Sequence, residues 1–163
     1  MKELSGSKLF TDAGSHFSDA IVITDAGGLI EWTNNAFHML CGYSKKDVLG
    51  SRPGDFLQGE KTNPETVRAL REARVKGEYI NTEILNYHKN GQPYWVSISI
   101  IPIRDDDDVL KGFISVERDI TEQRRQAAEM EKQIVQVYTA LLSSEKLGPD
   151  GPPSNDPFVK ELK

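Results

Sequence analysis

Cysteine is all but absent: Cys41 stands alone among 163 residues, which excludes an intrachain disulfide and any multi-cysteine metal site. Histidine is nearly as scarce. His16, His38 and His88 are scattered, and no zinc-ligand spacing, phosphate-binding loop or Ser/His/Asp order accompanies them, so an enzyme is not expected. No apolar run approaches the ~20 residues that cross a bilayer, and the stretch from Met1 to Ser5 lacks the apolar core of a signal peptide. A cytoplasmic location without membrane contact is expected. Basic residues are too dispersed for a nucleic-acid footprint, with 20 Lys and Arg against 25 Asp and Glu and a net charge of -5. The run Asp105 to Asp108 lacks the alternation of a calcium loop and reads as a solvated turn.

The remaining residues organise into one domain with flanking material. Residues 1–17 carry Leu4, Leu9, Phe10, Ala13 and Phe17, which share one face of a short helix that needs a partner surface. Ala20 to Asp25 is β-branched, Asp25-Ala26-Gly27-Gly28 is a turn signal, and Leu29 to Thr33 is the returning strand. Asn34-Asn35 caps a short helix over Ala36 to Leu40, and Ser44 opens another turn over Lys45 to Leu49. Pro64 starts a better helix that ends before Gly77. Three long strands follow, Tyr79 to Tyr87, Pro93 to Arg104 and Val109 to Arg118, with Asn90-Gly91 as the turn between the first two. Alternation groups Thr82/Ile84, Trp95/Ser97/Ser99 and Phe113/Ser115/Glu117 on one set of faces and leaves open which set faces a cavity. The sum is an α+β fold, a five-stranded antiparallel sheet with short helices on one face.

Beyond Thr121 the pattern turns to heptads. Ala127, Ile134 and Leu141 fall seven apart, with Met130 and Val137 three residues after the first two, the spacing of a two-helix seam. Gly148-Pro149-Asp150-Gly151-Pro152-Pro153 reads as a linker, and Asp156 to Lys163 begins a new helical pattern. The expected organisation is an N-terminal helical cap over 1–17, a central α+β domain over 18–121, a coiled-coil helix over 122–147, and a linker with the start of a downstream element over 148–163.

Three stretches, Gly50-Ser51-Arg52-Pro53-Gly54-Asp55-Phe56-Leu57-Gln58-Gly59, Leu85 to Trp95, and Phe113 to Thr121, resemble the light-oxygen-voltage branch of the PAS sensor family in order and spacing. That branch reads Asn-Cys-Arg where this chain has Pro53-Gly54-Asp55, and its thiol attacks an excited flavin. The resemblance implies the PAS fold and a flavin, FMN or FAD, as the candidate cofactor. A flavin needs amide partners for its pyrimidine edge, an apolar slot for its rings and cations near its phosphate. The resemblance puts Asn86 on that edge, Gln58 near the ribityl chain and Arg71 at the phosphate. Arg52 can compensate for Asp55, and Glu117 stands where the family has glutamine. Asn34 joins these polar candidates, and Val96 replaces a second family asparagine. From the residues alone, Glu117 is expected to pair with a nearby arginine or lysine, since a buried carboxylate must be paired or protonated. Cys41 reads as a small buried hydrophobe. Haem is disfavoured, because the long helix carries no histidine.

Two functions of different class fit these residues. In one, the domain senses a ligand or cofactor and relays its state through a dimeric C-terminal helix, with the N-terminal helix also contributing, to an output domain in the same chain. In the other, it is a ligand-free dimerisation and scaffolding module.

Overall fold

A computed structural model describes residues 18–145, so the expected cap over 1–17 and the linker and downstream element over 148–163 lie outside the described residues. β1 (Ala20–Asp25) and β2 (Ile30–Thr33) form the first hairpin, whose turn is fixed by Asp25: its Oδ1 accepts from Leu29 N at 2.8 Å and its carbonyl from Gly28 N at 3.0 Å. α1 (Asn35–Cys41) starts where Asn34 Oδ1 accepts from Phe37 N at 3.0 Å. α2 (Lys45–Val48) carries a capping box between Ser44 and Asp47. α3 (Pro53–Leu57) is a further short helix with proline in its first turn, and α4 (Pro64–Lys76) is capped by Asn63, which accepts from Glu65 N at 2.8 Å. β3 (Ile80–Tyr87), β4 (Pro93–Arg104) and β5 (Leu110–Asp119) complete the sheet before α5 (Thr121–Glu145). At the β3–β4 turn Gly91 adopts φ 84, the left-handed conformation that the Asn-Gly pair supplies.

The strand order is β2-β1-β5-β4-β3, antiparallel throughout, so the first hairpin closes onto the last strand. Val22, Phe37, Cys41, Val48, Tyr94 and Val96 are fully buried and form the core with the helices on one sheet face. Each large apolar side chain of that set contributes roughly 1.5–3 kcal/mol by leaving water. Alternation places Trp95, Ser97 and Ser99 with Phe113, Ser115 and Glu117, and the register corrects this. Ile98 pairs with Glu117 and Ile100 with Ser115, so the even-numbered residues of β4 share that face. Thr82 and Ile84, paired with Ile98 and Val96, do belong to it.

The junction after β5 is pinned to β4. Ile120 N donates to Trp95 O at 2.9 Å, Trp95 N donates to Thr121 Oγ1 at 2.8 Å, and Asp119 Oδ1 accepts from Thr121 N at 2.8 Å. The chain divides after Glu122 into two units. In the second, Met130, Ile134, Val137 and Leu141 are exposed along the helix, as are Val135, Tyr138 and Leu142.

Candidate functional site

A cavity of about 440 Å³ lies between α3, α4 and the inner face of the sheet. Leu57, Val67, Leu70, Ile84, Ile98 and Phe113 give it apolar walls. Its polar residues are graded by depth. Thr24, Asn86, Ser115 and Glu117 are buried, Gln58 is half-buried, and Arg52, Asp55 and Arg71 are exposed, with Arg74 between. The cavity therefore has a buried, hydrogen-bonding inner end that includes the Glu117 carboxyl, and a guanidinium-rich rim.

The rim is assembled from two elements around one turn. Arg52 Nε donates to Gly27 O at 3.2 Å, and Arg74 Nη1 donates to the same carbonyl. Both cations are thereby held over the β1–β2 turn by a neutral acceptor. Among the described residues no ion pair engages Arg52, Arg71 or Arg74. Asp55 lines the same rim and is its one negative charge.

Gln58 is positioned by the loop that follows it. Thr62 Oγ1 accepts from Gly59 N at 2.9 Å and donates to Leu85 O at 2.8 Å, which ties the loop to β3. Gly59 is required there, because a Cβ would come within 2.5 Å of the Tyr87 ring. The Gln58 amide packs over Gly54, where an added Cβ would meet its Nε2 at 2.9 Å. Gly54 lines the cavity, whereas Cys41 is buried in the core and is not among the lining residues.

At the inner end Glu117 is 1% exposed, and its Oε2 has no hydrogen-bond partner. Among the described residues the expected ion pair is not formed: none of the salt bridges includes Glu117. Burial alone pushes the carboxyl up to about 7. Behind it lie two further buried acids. Burial raises the Tyr94 hydroxyl, with Glu117 and then Cys41 adding to the shift, and burial likewise raises the Cys41 thiol. The Tyr94 ring stacks on His88 at 4.2 Å.

Of the six candidate residues, Asn86, Gln58, Arg71, Glu117 and Arg52 line this cavity. Asn34 does not. Its Oδ1 accepts from Ile21 N at 2.9 Å and from Phe37 N, and its Nδ2 donates to Asp19 O at 3.0 Å, which makes it the bolt between β1 and α1. Val96, in place of an amide, is fully buried in the core. Arg74, Thr24 and Ser115 also line the cavity and were not anticipated. Two signals carried them: Arg74 lies three residues after Arg71 on one helix, and Ser115 alternates with Glu117.

Residues 18–122 match the PAS domain family. The chain is 33% identical over 148 residues to the Blue-light-activated histidine kinase 1 of Erythrobacter litoralis (strain HTCC2594), covering 83% of this chain and 41% of that protein. Its fold is similar to the LOV domain of an Erythrobacter litoralis blue-light-activated histidine kinase, with a TM-score of 0.61 and 28% identity over 65% of this chain and 99% of the other. A light-oxygen-voltage domain studied with a flavin analogue gives a TM-score of 0.65 and 27% identity, covering 80% of this chain and 96% of that one. With residues 18–122 matched and the sheet order and cavity described above, the chain belongs to the PAS domain family.

Proposed function

We propose that this is a sensory PAS domain that holds a flavin non-covalently and relays the state of its cavity through α5 to an output domain in the same chain. The observation that carries the reading is the polarity gradient of one cavity, buried hydrogen-bonding groups at the inner end and three guanidinium groups at the rim. That complement fits a flavin: Asn86 and Gln58 offer amides, the aliphatic walls offer a slot for a flat ring system, and Arg52, Arg71 and Arg74 offer cations for a phosphate. When bound, the flavin would supply light absorption and electron storage. The residues of this chain bind, orient and exclude water from it.

The flavin chemistry is not thiol chemistry in this reading. Gly54 supplies no nucleophile to the cavity, and the Cys41 thiol is buried elsewhere and raised away from its reactive thiolate form. Purified protein loaded with FMN is expected to show the oxidised-flavin spectrum and no reversible bleach by thiol addition under blue light. A bleach that disappears in Cys41→Ala contradicts this.

The output side rests on α5. Ala127, Met130, Ile134, Val137 and Leu141 would form the seam of a parallel homodimer, with a few kcal/mol of apolar burial in each paired layer. Since the chain spans 41% of its kinase relative, a further domain beyond the linker is the natural recipient of the signal. The pinned Asp119-Ile120-Thr121 junction connects the cavity strand β5 to the helix, so a shift of β5 reaches the seam. Ile134→Asp with Leu141→Asp is expected to convert dimer to monomer in sedimentation while the PAS unit keeps its fold. A wild-type chain that is already monomeric at about 100 μM, where a Kd of ~1 μM would leave it nearly all dimer, contradicts the dimer.

A further inference from the structure

Glu117 is a buried acid without a cation. Its side chain reaches the cavity from the middle of β5, its Oε2 has no hydrogen-bond partner, and the residues paired with it across the sheet are Ala20 and Ile98. The titratable groups facing it are Cys41 from α1 and Tyr94 from β4, and neither is a cation. β3 offers Asn86, which is neutral. The charges that share the cavity, Arg52, Asp55, Arg71 and Arg74, belong to its outer end, and burial is the resolved cause of the shift at Glu117. A carboxyl in such surroundings is favoured in its neutral form.

The neutral and ionised forms present different surfaces. A protonated carboxyl has one O–H donor and acceptor capacity, the same pattern as a carboxamide, whereas a carboxylate is an acceptor only. We propose that Glu117 gates ligand retention by its protonation: the neutral acid donates a hydrogen bond to a carbonyl oxygen on the flavin ring edge, and its ionisation turns the inner end into a negative, acceptor-only surface that releases the ligand. This rests on the flavin reading above and adds a proton-controlled affinity to it. The carboxyl, pushed up to about 7, changes state within the neutral pH range, so ligand retention falls as pH rises through that value.

The test uses the full chain and riboflavin, because the phosphate of FMN itself titrates near pH ~6. Infrared spectra of the ligand-free wild type and of Glu117→Gln are compared from pH 5 to 9. The wild type is expected to show a protonated-carboxyl band that is lost as pH passes about 7 and that the glutamine variant lacks. Equilibrium dialysis over the same range is expected to give a wild-type affinity that falls about tenfold per pH unit above the transition, as the competent fraction falls, and a flat profile for Glu117→Gln. The variant differs from the wild type at residue 117 alone, so every other group is common to both profiles. Ionisation of Glu117 in the ordinary carboxylate range overturns the proposal, as does riboflavin binding by the wild type that is independent of pH, a result that leaves the flavin reading standing. Absence of riboflavin binding by both proteins at every pH overturns the flavin reading and this proposal with it.

Discussion

Two asparagines, Asn34 at the β1–α1 corner and Asn86 at the inner end of the cavity, are buried to nearly the same extent, 3% and 4% exposed, in different surroundings. Asn34 is surrounded by backbone groups that saturate it, two N–H donors and one carbonyl acceptor. Asn86 lies along the cavity with Ser115 and Glu117, where the polar neighbours are side chains and open volume. The corner spends its polar atoms on backbone groups that hold the fold, whereas in the cavity the Asn86 side chain interacts with the Tyr94 hydroxyl and Glu117 Oε2 has no hydrogen-bond partner. Burial alone therefore does not mark a binding residue. What separates the two is whether the side chain is bonded to backbone of the fold, as Asn34 is, or lines a cavity among other side chains, as Asn86 does.

The largest expected effect is at the corner. Asn34→Ala strands the buried N–H groups of Ile21 and Phe37 and should destabilise the fold by about 2–4 kcal/mol, read as a lower denaturant midpoint. A loss below about 1 kcal/mol would erase the contrast with Asn86. Next is Glu117→Gln. Native Glu117 keeps its proton to about 7 while the unfolded chain releases it near 4.5, so folding takes up a proton between these values and stability falls as pH rises through that window. The gap corresponds to roughly 3 kcal/mol at most, and the glutamine variant should regain it at pH 8 and show little change at pH 4. Equal stability of the two proteins at both pH values would mean that the carboxyl is not held in the apolar setting described here.

At the cavity the effects are smaller for folding and larger for binding. Asn86→Ala should leave ligand-free stability within about 1 kcal/mol of wild type while weakening flavin affinity about fivefold or more, the cost of one lost hydrogen bond. A fold loss as large as that of Asn34→Ala would assign Asn86 to structure. The smallest expected effect is Arg71→Ala, a few-fold loss of FMN affinity with no change for riboflavin and a reduced salt dependence, since the exposed guanidinium addresses the phosphate in a screened setting. Equal losses for both ligands would move Arg71 from the phosphate to the ring.

Local chemistry made much of this legible. The Asp25 to Gly28 turn, the Asn90-Gly91 hairpin, the Asn34 cap and the heptads beyond Thr121 each depend on a few neighbouring residues, and the structure has the hairpins, the cap and the long helix. α3 was not anticipated, because five residues that include Pro53 and Gly54 have weak helix propensity, and the burial of Leu57 supplies the reason to turn there. The cavity face was ambiguous from alternation, and Trp95, Ser97 and Ser99 were grouped with the wrong residues of β5, because both sets of β4 contain large side chains, Trp95 on one and Tyr94 on the other. Only pairing with β5 decides between them. The fate of Glu117 was also out of reach of the sequence. Arginines are plentiful in the chain, but α4 and the loop before α3 carry those of the cavity to its rim, and among the described residues no salt bridge includes Glu117.

The central claim is that the cavity with a buried, hydrogen-bonding inner end and an arginine rim is a flavin site. Equilibrium dialysis of the full chain against FMN at pH 6, with the visible spectrum recorded on the retained fraction, tests it most directly. The account predicts one oxidised flavin per chain, bound with micromolar or tighter affinity that weakens about tenfold or more in Asn86→Ala combined with Arg71→Ala. Absence of retained flavin at a free FMN concentration of ~100 μM would contradict it.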